Sequence, residues 1–161
     1  MKTLVLTFFI SLGQAAASST TCTALRLPST WEVISTAYGD VTGDGQAECV
    51  LSVWRPWRDW PIARWATGAT PVINNHDAGG RSSHIVVLKP LGKRQYREVW
   101  VGSALFQPAS QVTILPSGRL RVTETTYKGG PHALGTAVTE WAWTGFGFSR
   151  VSQRMVTWQL K

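Results

Sequence analysis

Three carboxylates lie close together in one short stretch of the chain, at Asp40, Asp44 and Glu48. The stretch reads DVTGDGQAE, and Gly43 and Gly45 let it curl tightly because glycine adopts backbone angles that other residues avoid. Side chains at alternate positions of such a loop can converge on one hard cation. The alternative is a tight turn in which aspartates cap backbone amides without a metal. The predicted ligands are Asp40, Thr42, Asp44, Glu48 and the carbonyl oxygen of Gln46.

A second group of residues suited to recognition lies in the long connection from Arg55 to about Ser83, where tryptophan and arginine alternate. Flat rings beside cations suit acidic sugars, lipid head groups or a protein surface. In the alternative, the rings fold back to cover an open sheet and the arginine stems lie across them. The predicted contact residues are Trp54, Arg55, Trp57, Arg58, Trp60, Arg64 and Trp65.

Residues that could support catalysis are present but form no recognisable set. His76, Asp77 and His84 are close in sequence, yet their spacing fits neither a zinc loop nor a helical metal pair. No GxSxG elbow, P-loop or dinucleotide fingerprint occurs, and the acids outside the loop offer no obvious glycosidase pair. We therefore expect a non-catalytic binding or interaction module. A secreted hydrolase built from distant residues is the alternative from another class, and a structural envelope component is a further one.

The elements that must position these residues are strands. Helical periodicity is nearly absent, whereas short runs rich in Val, Thr, Trp and Tyr recur between clusters of Gly, Pro, Asp and Ser. The strands fall into two groups of four with a similar order of features, as expected of a diverged repeat. We predict strands near 31–38, 48–55, 84–89, 95–102, 110–115, 119–127, 134–144 and 147–158.

Two segments resemble a known group of repeats. DVTGDGQAE followed by CVLSVW, and the hairpin WAWTGFGFSRV, are similar to FG-GAP or VCBS-type repeats, the blades of integrin-like propellers. The resemblance implies four-stranded antiparallel blades and a calcium-binding acidic loop. The chain departs from the pattern at Thr42, where the family usually has Asp or Asn, and in ILPSGRLR of the second repeat, which holds no acid.

Two blades cannot close a ring, because propellers use about four to eight. Their apolar faces must therefore be covered in another way. We expect an all-β fold of two four-stranded antiparallel meanders packed face to face as a sandwich-like monomer, with association of several copies as the alternative.

The N-terminus predicts export. Lys2, an apolar run and a cluster of small residues ending at Ala17 are typical of a signal peptide, which implies a secreted or cell-surface protein. The apolar run is too short to span a membrane. The predicted organisation is a signal peptide at 1–17, an extension at 18–30 and one domain at 31–161, with repeats at 31–103 and 104–161.

The two cysteines and the net charge indicate the compartment and the kind of partner. Export would let Cys22 and Cys49 pair as a disulfide, and a reactive thiol is the alternative. The net charge is +7, and +6 without the predicted signal peptide, which carries Lys2. A basic surface favours an anionic polysaccharide or protein partner and peripheral membrane contact, while the export signal disfavours nucleic acid.

Overall fold

The computed structural model describes residues 21–57 and 72–156. The predicted signal peptide lies outside the described residues, as do Arg58, Trp60, Arg64 and Trp65. No helix within the described ranges is long and apolar enough to cross a membrane. The strands are β1 (Glu32–Gly39), β2 (Glu48–Pro56), β3 (Arg81–Gly92), β4 (Gln95–Val101), β5 (Ala109–Ile114), β6 (Leu120–Glu124), β7 (Ala137–Trp143) and β8 (Phe148–Met155).

The strands form two four-stranded antiparallel sheets, in the orders β1-β2-β3-β4 and β5-β6-β7-β8. Each strand pairs with the next along the chain, so each sheet is a meander. The predicted fold class, two such meanders packed as a sandwich-like single domain, is confirmed. The largest difference in bounds is β3, which begins at Arg81 rather than near residue 84 and extends to Gly92.

The two central strands of the first sheet, β2 and β3, are buried on both faces over most of their length. Successive side chains of a strand point to opposite sides, so Cys49, Leu51 and Val53 of β2 share one face and Val50 lies on the other. The first face packs against the segment before β1, through Cys22 and Leu25 among others. Residues 21–30, predicted as an extension to the domain, therefore cover the outer face of its first sheet.

A disulfide between Cys22 and Cys49 links this N-terminal segment, residues 21–30, to β2. The two Cα atoms lie 5.5 Å apart, and both residues are buried. The predicted pairing is confirmed. Because Cys49 is in a central strand, the bond ties the N-terminal segment directly to the most buried part of the sheet.

The second sheet packs on the first chiefly through β5, which contacts β1, β2 and β3. Hydroxyl groups of the first sheet bind the backbone of β5. Ser52 Oγ donates to the Ala109 carbonyl at 2.6 Å, and Ser83 Oγ accepts from the Ala109 N–H at 3.1 Å. The apolar core between the sheets contains Val41, Val50, Ile85, Val87, Ala109, Val112, Leu120 and Val122.

Candidate functional site

The acidic loop between β1 and β2 lies where the two sheets meet. Val41, one residue into the loop, is buried in the core shared by both sheets. On the other side lies Gly118 of the β5–β6 turn, where a Cβ atom would be 3.5 Å from the Asp40 carbonyl oxygen, an ordinary van der Waals distance. The loop therefore lies at the junction of the two sheets.

Asp40 organises the backbone of the loop. Its Oδ1 accepts from the Gly43 N–H at 2.7 Å and from the Asp44 N–H at 3.2 Å, and its Oδ2 accepts from the Gly45 N–H at 2.8 Å. Gly43 and Gly45 have φ angles of 77° and 81°, which L side chains rarely adopt. The local bonding is thus that of a capped turn.

Glu48 supplies a buried carboxylate at the end of the loop, with only 1% of its surface exposed. Its two oxygens accept from the Val41 N–H at 3.2 Å and from the Thr42 hydroxyl at 3.3 Å. Burial raises the pKa of Glu48, and the nearby charges of Asp44 and Asp40 add to the rise, while the bonds to the loop act against it. A cation beside these acids would relieve their repulsion.

Asp44 already faces one cation, the side chain of Lys89 in β3. The Lys89 Nζ lies 3.2 Å from Asp44 Oδ2, and the Gln46 N–H donates to Asp44 Oδ1 at 2.9 Å. The hydrogen bond from Gln46 and the ammonium group of Lys89 hold the pKa of Asp44 below its usual value. The sequence did not indicate Lys89, because it lies 45 residues from Asp44 and reaches it only through strand pairing.

The three acids are a group that could hold a hard divalent cation. Asp40, Asp44 and Glu48 each offer one oxygen, and these oxygens lie within 4.8 Å of one another, which no other group of three His, Cys, Asp or Glu residues achieves in the described ranges. Calcium takes oxygen ligands at about 2.3–2.6 Å, so ligands on opposite sides of the ion are about 5 Å apart. Carboxylate oxygens have spare lone pairs beyond the capping bonds. Thr42 and Gln46 are hydrogen-bonded to two of the acids.

The tryptophan and arginine residues of the predicted contact surface do not share one environment. Trp54 is fully buried and packs edge-on against Tyr127, with ring centroids 5.5 Å apart. The expectation that Trp54 contacts a ligand is therefore wrong, because its position on the inner face of β2 places the indole in the core. Trp57 is half-buried, and the guanidinium of Arg55 lies 5.6 Å from the ring centroid of Trp31.

The three residues considered for catalysis do not form one site. Asp77 Oδ1 accepts from the Arg81 N–H at 2.8 Å. His76 Nδ1 lies 2.7 Å from the Asp77 carbonyl oxygen, and its ring is tilted by 50° to the Trp57 ring, with centroids 5.1 Å apart. His84 lies inside β3 rather than at a strand end, and its Nε2 is 2.7 Å from the Ser82 hydroxyl. Ser82 and His84 are both buried, so this serine is out of reach of a substrate.

No model of a known protein family matches this chain, and no curated protein is significantly similar to it. The resemblance to FG-GAP or VCBS-type repeats therefore stands on the acidic loop, the strand after it and the last hairpin.

Proposed function

We propose that this chain is a secreted, non-catalytic binding module of two FG-GAP or VCBS-type repeats, with calcium held by its acidic loop. The observation that carries the proposal is the approach of one oxygen from each of Asp40, Asp44 and Glu48 to within 4.8 Å, next to the core residue Val41. Calcium there would neutralise clustered acids and brace the junction of the two sheets. Export is supported by the Cys22–Cys49 disulfide, since such bonds persist in oxidising compartments.

The proposed partner is an anionic polysaccharide or an acidic protein, contacted by the tryptophan and arginine residues at 55–65. The net charge of +7 supports an anionic partner. Trp57 retains a partly exposed ring while its indole N–H donates to the Val72 carbonyl at 3.2 Å. A ring whose polar group is already bonded offers a flat apolar surface to a ligand.

Calcium at tenfold excess over a dissociation constant near 1 mM is expected to raise the free energy of unfolding by about 1.4 kcal/mol. Asp44→Asn should abolish this gain, because it removes a charged ligand while keeping an oxygen for the Gln46 N–H. Lys89→Gln should enlarge it, because the ammonium group competes with the ion for Asp44 Oδ2. Urea unfolding with and without calcium measures both effects.

Glu140→Gln serves as the matched control, since Glu140 pairs with Arg121 away from the loop. It should keep the wild-type response to calcium. If calcium changes the stability of neither the wild type nor Lys89→Gln, the proposed calcium site is wrong and the loop is a capped turn without a metal.

The anionic partner is tested with polygalacturonate, using neutral dextran as the comparison. Arg58→Gln combined with Arg64→Gln is expected to weaken polygalacturonate binding about tenfold at low salt, because two guanidinium charges proposed to pair with uronate carboxylates are lost. Arg119→Gln, an exposed change on the β5–β6 turn, removes a charge elsewhere and should have a small effect. Isothermal titration calorimetry gives the affinities. Absence of binding, or an equal loss in Arg119→Gln, would contradict the proposed contact surface.

A further inference from the structure

A cavity of about 360 Å³ opens between the two sheets, on the side where they are not packed together. The sheets meet chiefly through β5, and the cavity is lined by Ile85 and Trp100 of the first sheet and by residues of β6, β7 and β8. Strand register places Leu120, Trp141 and Arg150 side by side on the second sheet. The cavity volume falls within the range of about 300–1,000 Å³ found for small-molecule sites.

Aromatic rings form much of the cavity wall. Trp100 of the first sheet and Phe148 of the second meet edge to face with ring centroids 5.5 Å apart, and Trp141 lies on the neighbouring strand. Phe106, whose side chain is 76% exposed, lines the cavity from the connection between the sheets. Such rings give the cavity flat apolar surfaces from both sheets.

One buried carboxylate also lines the cavity. Glu124 is 5% exposed, and its Oε1 accepts from the Thr139 hydroxyl at 2.9 Å. The Trp141 indole N–H donates to the same hydroxyl at 2.8 Å. Because an indole only donates, the hydroxyl must accept from Trp141 and direct its own hydrogen to an acceptor, and Glu124 is closer than the Val122 carbonyl at 3.4 Å. Glu124 is thus fixed as an acceptor at the cavity wall.

Hydrogen-bond donors lie on the open side of the cavity. Arg150 and Gln153 are exposed residues of β8 that line it, and the Arg150 guanidinium carbon lies 6.0 Å from the Trp141 ring centroid. Within the described chain, neither Glu124 nor Arg150 belongs to an ion pair. The cavity wall therefore carries one acidic residue, Glu124, and one basic residue, Arg150, which do not form a salt bridge with each other.

We propose that this cavity binds a neutral mono- or disaccharide. A cationic ligand would meet Arg150 and an anionic one would meet Glu124, whereas sugar hydroxyls can donate to the carboxylate and accept from the guanidinium. The C–H faces of a sugar ring match the flat walls of Trp100 and Trp141. Glu124 is the one acid among the cavity-lining residues described, and glycoside hydrolysis ordinarily uses a pair, so the site binds without cleaving.

The test is a titration of the isotope-labelled protein with maltose, cellobiose and N,N′-diacetylchitobiose, followed by NMR of the tryptophan indole N–H groups. At least one of these sugars should shift the Trp100 and Trp141 signals in a saturable manner below about 20 mM. Phe106→Ala and Arg150→Gln, both at exposed positions, should each weaken the affinity about fivefold or more. Phe146→Ala, 88% exposed in the turn before β8 and outside the cavity, should leave it unchanged.

The same titration separates this site from the proposed calcium and polyanion sites. Asp44→Asn and the Arg58→Gln, Arg64→Gln double variant should retain sugar binding, so failure of either proposal does not decide the other. The inference is overturned if none of the three sugars produces a saturable shift. It is equally overturned if only a charged comparator, digalacturonate or glucosamine, perturbs the cavity signals, or if Phe106→Ala and Arg150→Gln bind as the wild type does.

Discussion

Replacing Cys22 and Cys49 together by alanine is expected to lower the free energy of unfolding by about 3.5 kcal/mol. The bond joins residues separated by 27 positions. In the chain-entropy model, its loss increases the conformational entropy of the unfolded chain and so favours unfolding. The native state also loses the attachment of the cover on the outer face of the first sheet, where both cysteines are buried. Urea unfolding followed by tryptophan fluorescence measures the change.

Reduction of the wild-type protein supplies the control for this experiment. A reductant breaks the crosslink but keeps both sulfur atoms, so it separates the crosslink from the small cavities that alanine leaves. The reduced wild type should lose nearly as much stability as the double variant. A loss below about 1 kcal/mol in both would mean that the N-terminal segment packs on β2 without needing the bond.

The fold could be predicted from the sequence because its strands carry local signals. β2 is a nearly continuous apolar run from Cys49 to Trp54, as expected of a strand buried on both faces. β6 alternates buried and partly exposed residues, as expected of a strand with one covered face. Short turns then pair β3 with β4, β5 with β6 and β7 with β8, because a short connection favours an antiparallel hairpin.

The surroundings of individual side chains could not be predicted in the same way. Trp54 follows an apolar run and precedes a stretch of alternating tryptophan and arginine, so composition alone assigns it to either group. In the fold its ring packs against Tyr127 of the β6–β7 connection, which is distant in sequence. Glu124 and Trp141 likewise come together through Thr139 and the pairing of β6 with β7.

The acidic loop is an intermediate case. Its glycines and acids are contiguous, so the capped turn and the set of acids were both visible in the sequence. The packing of Val41 in the core between the sheets depends on the second sheet, and the nearness of Gly118 depends on the β5–β6 turn. The position of the loop at the junction of the sheets could therefore be seen only in the structure.

His84 is expected to make the protein less stable as the pH falls, by about 2 kcal/mol between about pH 7.5 and pH 5. Burial lowers the pKa of His84 to about 4, and the charge of Arg55 acts in the same direction. The ring is neutral in the fold, since its Nδ1 lies 2.8 Å from the Gly102 carbonyl oxygen as a donor and its Nε2 accepts from Ser82. Below about pH 6.5 this histidine is protonated in the unfolded chain, whereas in the folded chain it stays neutral down to about pH 4. The equilibrium therefore shifts toward unfolding as the pH falls through this range.

The effect of His84 is isolated by comparison with His84→Asn, whose amide can replace the donor to Gly102. Between about pH 7.5 and pH 5, the unfolding free energy of this variant should fall by about 2 kcal/mol less than that of the wild type. His132→Asn, which removes an exposed histidine 3.5 Å from Glu32, serves as the comparison for loss of a histidine outside the core. The raised pKa of Glu48 adds stability as the pH falls, which opposes the effect of His84 in the wild-type curve. The difference in unfolding free energy between the wild type and His84→Asn removes this contribution, because both proteins contain Glu48. NMR titration of the His84 ring gives its pKa directly without any variant, and a value near 6.5 would show that the buried imidazole accepts a proton as readily as an exposed one.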